Sequence, residues 1–177
     1  AYNNAGYIKD TVESILQQTY QNIEVIVVDD NSTDDTVAVL ESISDERLKL
    51  YRNEQNLGMA GNWNKCLSLA NGEFVKLICA DDMIDRNAIE VEAKAMQENP
   101  TANLVESDTR LVDINGKKTS NGIFLCLPNV IKHPTYGTSI RPFFCQSQHL
   151  QTADLKLIQN QSMIALWIKT AIIPQTY

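Results

Sequence analysis

The chain has 177 residues, of which 44% are apolar and 21% charged, so it can bury a core and is not a disordered chain. Its net charge of −7 is uneven, since residues 1–130 hold 21 acidic and 11 basic side chains, whereas residues 131–177 hold 1 and 4. An acidic body argues against nucleic acid as a partner, because phosphate contacts need clustered Lys and Arg.

The first part of the chain alternates helical patterns with apolar runs. Apolar residues at helical spacing predict a helix over residues 3–20. The β-branched run from Ile23 to Val28 predicts a strand that is buried on both faces. After this strand, Ser32 or Thr33 is expected to cap a second helix, which carries acidic residues in its first turn.

The alternation continues towards residue 100. Strands are predicted over Leu48 to Tyr51 and Phe74 to Ile78, with a small-residue loop at 56–61 and a helix between them. Another helix is expected from Ala88 to Glu98, where Asn99-Pro100 ends it. Repeated strand–helix units imply an α/β fold with a mostly parallel sheet that helices cover on both faces.

From residue 101 onward the pattern is less regular. Ala102 to Ser107 and Leu111 to Ile114 are predicted as strands, with a hairpin turn at Asn115-Gly116. All five prolines lie at or beyond Pro100, so this part of the chain is built differently. No two cysteines have C-x-x-C spacing, which favours reduced thiols over a zinc or redox site.

Two of the predicted strands end in adjacent carboxylates, Asp29-Asp30 and Asp81-Asp82. In parallel sheets, ligands bind at the carboxyl ends of the strands. Carboxylates that converge there repel one another unless a cation or hydrogen-bond donors compensate their charge. The sequence therefore predicts a divalent metal site at this edge of the sheet.

Four segments resemble a known family in their order and spacing: Ala1-Tyr2-Asn3, SILQQTYQNIEVIVVDDNSTDDT at 14–36, NEQNLGMAGNWNKCLSLANGEFVKLICADD at 53–82 and LVESDTRLVDINGK at 104–117. Together they resemble the family 2 glycosyltransferases over residues 1–120. The resemblance implies the GT-A fold, a three-layer α/β/α sandwich that binds nucleotide-diphospho-sugars on a mostly parallel central sheet. The first strand of that fold is expected just before Ala1 and is missing from the chain.

The resemblance also implies roles for individual residues. Nucleotide binding is expected of Tyr2, Asn3, Asp30, Gly58 and Asp81. Asp30 matches the carboxylate that accepts a hydrogen bond from the uracil ring of a UDP-sugar. Asp81-Asp82 match the family's D-x-D-like motif, and Asp82 is assigned to the metal, Mn²⁺ or Mg²⁺. Asn64 matches an asparagine with a structural role.

The function that the resemblance implies is the inverting, metal-dependent transfer of a sugar from a UDP-sugar to an acceptor hydroxyl. The catalytic base is not identified, and Asp108 and Asp154 are the candidates. Residues 121–177 do not follow the family and are expected to be a divergent acceptor-side region or a truncated one. A nucleotide-sugar-binding fragment without a competent base is therefore the alternative.

A signalling receiver is a third hypothesis, because such domains also bind Mg²⁺ at adjacent carboxylates after a buried strand. Receivers carry that pair after their first strand, however, and here a long helix is predicted before it. The pattern therefore favours the glycosyltransferase.

The acceptor is expected to be a saccharide or a lipid-linked saccharide, as in cell-surface polysaccharide synthesis. The resemblance places such an enzyme in the cytoplasm, at the inner face of the membrane. Whether the basic residues after 130 contact that membrane is left open, since four cations are few for such a contact.

Overall fold

The computed structural model describes residues 1–102, 104–107, 110–112, 118–121, 130–133, 143–146 and 165–170. Helices and strands alternate up to residue 98: α1 (Ile8–Leu16), β1 (Ile23–Asp29), α2 (Thr36–Glu41), β2 (Leu48–Arg52), α3 (Gly58–Leu69), β3 (Phe74–Cys79) and α4 (Ala88–Glu98). Six more strands follow among the described residues: β4 (Leu104–Ser107), β5 (Arg110–Val112), β6 (Lys118–Asn121), β7 (Val130–His133), β8 (Phe143–Gln146) and β9 (Ala165–Thr170).

Most of the strands form one 7-stranded sheet in the order β2-β1-β9-β3-β8-β4-β7. The pairings make β1, β2, β3, β4 and β7 run in one direction, and β8 and β9 in the other. The predicted mostly parallel sheet is thus confirmed in strand direction, although the antiparallel β9 lies between β1 and β3. The division of the chain at residue 120 stays a prediction.

The short strands β5 and β6 pair antiparallel outside the main sheet. This pair corresponds to the hairpin that the sequence predicts after residue 110. Its proposed turn at Asn115-Gly116 lies outside the described residues.

Helices cover both faces of the sheet. The side chains of a strand point alternately to its two faces, and β1 has apolar side chains on both. Ile23, Val25 and Val27 of β1 pack into a cluster with the buried residues of α1, α2 and α4. Ile26 and Val28 of the same strand pack against α3 on the opposite face. The resulting three layers are the α/β/α sandwich that the sequence predicts.

The predicted helix over residues 3–20 is too long, because α1 occupies only Ile8–Leu16. Its expected first turn is instead tied by three backbone N–H groups to the loop after β1 and to Thr36, the first residue of α2. The bonds are Asn3 N to Ser32 Oγ (2.9 Å), Asn4 N to Thr36 Oγ1 (2.7 Å) and Ala5 N to Asp34 Oδ2 (3.1 Å). Hydrogen bonds across some 30 residues of sequence have therefore overridden the local helical pattern.

The cap predicted for the second helix is also wrong, since α2 begins at Thr36 and neither Ser32 nor Thr33 lies at its start. The Asp34 side chain accepts from the Thr36 N–H at 3.0 Å, while Ser32 bonds to Asp29.

No described helix is both long and apolar enough to cross a bilayer.

Candidate functional site

The carboxyl ends of β1 and β3 lie at the same edge and level of the sheet. Leu166 of β9 pairs with Val27 of β1 on one side and with Ile78 of β3 on the other. The two strands are therefore two strand spacings apart, roughly 10 Å. Asp30 and Asp81 each come three residues after these paired positions, so both carboxylate pairs lie at this edge.

Asp29 is fully buried and holds the loop that follows β1. Its Oδ2 accepts a hydrogen bond from the Ser32 N–H at 3.0 Å, and its Oδ1 accepts one from the Ser32 hydroxyl. The Arg52 guanidinium also pairs with it, with 3.4 Å between Nε and Oδ2. A carboxylate that bonds a backbone N–H a few residues on stabilises a turn, so the role of Asp29 is structural.

Asp30 is 3% exposed and is held by hydrogen bonds from three directions. Its backbone N–H donates to the Ala1 carbonyl at 2.7 Å. Its side-chain Oδ1 accepts from Asn53 Nδ2 and from the backbone N–H of Leu57, both at 2.8 Å. Two donors on one oxygen fix the orientation of this carboxylate.

Two buried asparagines continue this network away from Asp30. Asn53 Nδ2 also donates to Asn62 Oδ1 at 2.9 Å, and Asn62 Nδ2 donates to the Val28 carbonyl at 3.0 Å. Neither residue is predicted from the sequence. The structural asparagine of α3 is Asn62, whereas Asn64, which the resemblance indicated, is exposed.

Gly58 is required by its backbone conformation. Its φ of +71° lies in the left-handed region that side chains other than glycine rarely adopt. No atom lies within 4 Å of the place where a Cβ would stand, so packing is not the reason for the glycine. The residue opens α3 directly after Leu57, and its own N–H donates to Asn56 Oδ1 at 2.9 Å.

The N-terminal residues adjoin the same edge through Ala1. Tyr2 is 40% exposed, and Leu57 is 43% exposed. The Asn3 side chain has a structural contact, since its Oδ1 accepts from the Thr33 N–H at 2.9 Å. Nucleotide binding by Tyr2 and Asn3 stays a prediction.

The pair after β3 differs from the pair after β1. Asp81 is exposed, whereas Asp82 is 6% exposed and donates its backbone N–H to the Cys79 carbonyl at 3.1 Å. Within the described part of the chain, no three His, Cys, Asp or Glu side chains are grouped as metal ligands. One or two carboxylates nevertheless suffice for Mg²⁺ when substrate phosphates supply further oxygens. The oxygen donors after β3 therefore fit a hard divalent cation.

The thiol of Cys66 is not a nucleophile for this site. Cys66 and Cys79 are buried, and neither forms a disulfide. Burial raises the pKa of the Cys66 thiol to about 12, which keeps it protonated at neutral pH. The two candidates for a catalytic base, Asp108 and Asp154, lie outside the described residues.

Comparison with known proteins identifies bacterial glycosyltransferases as similar sequences. Glycosyltransferase GlyG of Streptococcus pneumoniae is 38% identical over 99 residues, which are 55% of this chain and 33% of that protein. The UDP-Glc:alpha-D-GlcNAc-diphosphoundecaprenol beta-1,3-glucosyltransferase WfaP of Escherichia coli is 44% identical over 82 residues, 46% of this chain and 33% of WfaP. The chain spans about a third of the length of these relatives.

Solved structures show the same fold. Residues 1–349 of Staphylococcus aureus TarS match 87% of this chain and 47% of that one, with a TM-score of 0.65 and 26% identity. A mannosyltransferase from Pyrobaculum calidifontis in complex with GDP-Man and Mn²⁺ matches 62% of this chain and 34% of that one, with a TM-score of 0.56 and 30% identity. The predicted GT-A α/β fold is confirmed. The model of glycosyl transferase family 2 matches residues 1–159, and the chain therefore belongs to that family.

Proposed function

We propose that this protein transfers a sugar from a UDP-sugar to an acceptor hydroxyl with inversion at the anomeric carbon. The observation that carries the proposal is that Asp30, Asp81 and Asp82 follow strands whose carboxyl ends lie at one edge of the sheet, roughly 10 Å apart. The shared partner Leu166 sets that arrangement. In this proposal a nucleotide extends from the end of β1 to the end of β3, with its base at Asp30 and its diphosphate at Asp82.

Asp30 is suited to accept from the uracil ring. Asn53 and Leu57 both donate to Oδ1, which leaves Oδ2 for a ring N–H. Tyr2 follows Ala1, whose carbonyl accepts from the Asp30 N–H, and the Leu57 N–H donates to Asp30. Both side chains are exposed and offer apolar surface to a base. Asp81 is exposed and is assigned to the ribose.

Asp82 is assigned to the divalent metal. When bound, Mn²⁺ or Mg²⁺ would neutralise the charge that develops on the departing diphosphate. Asp82 is 6% exposed, so its side chain has little freedom to move before a ligand binds. A Mn²⁺ complex of a similar structure supports this assignment.

The acceptor side is proposed from relatives and from chemistry. The name of WfaP describes transfer to a lipid-linked saccharide, which supports such an acceptor here. Work at the inner membrane face belongs to the same proposal. A carboxylate must take the proton of the attacking hydroxyl while UDP leaves from the opposite side. Asp108 and Asp154 are the candidates for this base.

The test compares Asp82→Asn with Asp81→Asn in the full-length protein, using thermal shifts with UDP, GDP and dTDP, with and without Mn²⁺. Wild type is expected to be stabilised by UDP, and more strongly when Mn²⁺ is present. Asp82→Asn should abolish the Mn²⁺-dependent part, whereas Asp81→Asn should weaken UDP binding in both conditions. A Mn²⁺ effect that persists in Asp82→Asn would overturn the metal assignment, and a preference for GDP would overturn the donor.

Turnover distinguishes the transferase from a binding protein without a base. Release of UDP from a UDP-sugar is expected when a lipid-linked saccharide is supplied. Tight binding of UDP without its release across such acceptors would favour the binding protein.

A further inference from the structure

Asp30, Asn53 and Asn62 form a buried chain of hydrogen bonds that joins three parts of the fold. Asp30 follows β1, Asn53 follows β2, and Asn62 lies in α3. All three side chains are buried. Buried polar side chains are found in a core only when their hydrogen bonds are satisfied, so this hydrogen-bond network is part of the structure of this edge of the sheet.

The Val28 carbonyl, at the end of this hydrogen-bond network, determines the direction of each hydrogen bond in it. The Val28 carbonyl can only accept, so the amide nitrogen of Asn62 must face it, which turns Asn62 Oδ1 towards Asn53. Asn53 Nδ2 then uses both of its hydrogens, one on Asn62 Oδ1 and one on Asp30 Oδ1. With the Leu57 N–H also on Oδ1, the carboxylate cannot rotate without losing two bonds.

We infer that Asn53 is a positioning residue that gives this site its preference among nucleobases. By holding Oδ1, it presents Asp30 Oδ2 as a fixed acceptor. Uracil offers a ring N–H at N3 and would bond to it, whereas cytosine has a lone pair at N3 and would be repelled. This inference rests on the proposed function, in which Asp30 contacts the base.

The test measures the dissociation constants of UDP and CDP, with Mn²⁺, by calorimetry on the full-length protein. Four proteins are compared: wild type, Asn53→Ala, Asn62→Ala and Asn64→Ala. Asn64 is an exposed asparagine on the same helix as Asn62, which makes Asn64→Ala the matched control. UDP and CDP share the ribose and diphosphate, so their ratio reports on the base alone.

Wild type is expected to prefer UDP, and Asn53→Ala to bind UDP roughly tenfold more weakly with CDP unchanged, as for one hydrogen bond to a charged group. Asn62→Ala should reduce the ratio less, and Asn64→Ala should leave it at the wild-type value. An Asn53→Ala protein that is folded, is less stable and keeps the wild-type ratio would overturn the inference while the proposed donor stands. Failure of wild type to bind either nucleotide would instead overturn the proposed function.

Discussion

The two strands that carry the carboxylate pairs are supported in different ways. The end of β1 is held by hydrogen bonds, because Asp29 and Asp30 are buried and accept from neighbouring protein groups. In β3 the support lies inside the strand, where the Lys76 ammonium pairs with Glu92 of α4 at 2.7 Å. Asp81, beyond the end of β3, is exposed.

The difference shows that two adjacent carboxylates after a strand can have different structural roles. The first pair is held in the fold by hydrogen bonds from Ser32, Asn53 and Leu57. The second pair has one exposed member, Asp81, and one buried member, Asp82. Substitutions in the two regions should therefore separate stability from binding.

Lys76→Met is expected to have the largest effect, a loss of about 3–5 kcal/mol in the free energy of unfolding. Lys76 and Glu92 are both fully buried, so removal of the ammonium would leave a carboxylate without its counter-ion. The Ser107 hydroxyl would still donate to Glu92 Oε1. Urea-induced unfolding of the variant measures the loss.

The control for this prediction is the double variant Lys76→Met with Glu92→Leu. Replacement of both charges by apolar side chains often restores stability, so most of the loss should be recovered. Glu92 Oε2 has no hydrogen-bond partner among the described residues, which makes the pair less favourable still. A single variant as stable as wild type would show that water reaches this pair.

Local patterns in the sequence were enough to predict the strands β1, β2 and β3 and the helices between them. The runs that form β1 and β3 are mostly apolar, and the helix-forming segment of α4 has the predicted bounds Ala88–Glu98. Because the sheet is mostly parallel, the prediction that Asp30 and Asp81 share one edge followed from strand direction alone.

Features that depend on distant contacts could not be predicted in this way. The start of α1 is set by the loop at residues 32–36, and the insertion of β9 between β1 and β3 depends on a segment far along the chain. The sequence does not indicate that Asn53 and Asn62 are buried, since asparagine side chains are mostly exposed in folded proteins. Asn53 does follow β2 as Asp30 follows β1, and that position was the one available clue.

Asp29→Ala is expected to cost about 1–3 kcal/mol of unfolding free energy, because the Ser32 N–H and hydroxyl would be left without their acceptor. Asp81→Ala, at the exposed position of the other pair, should change stability by no more than about 0.5 kcal/mol. Urea-induced unfolding of both proteins makes the comparison, and Asp29→Asn should recover part of the loss by restoring one oxygen. Equal effects at the two positions would remove the distinction between the pairs.

The smallest effect is expected at Asp34, on the loop that fastens residues 3–5 beside the end of β1. Although burial acts to raise it, hydrogen bonds from Thr36 and the Ala5 N–H lower the pKa of Asp34 below its ordinary value. A carboxyl group with a lowered folded-state pKa stabilises the protein above the unfolded-state pKa of about 4, and this contribution is lost as the pH falls through the folded-state pKa. The melting temperature of Asp34→Asn should therefore lie slightly below that of wild type at pH 7 and approach it as the pH falls below about 4. Asp35→Asn, which removes the same charge one residue along, is the control, and a difference that is constant over this range would show that Asp34 adds no pH-dependent stability to the β1 end.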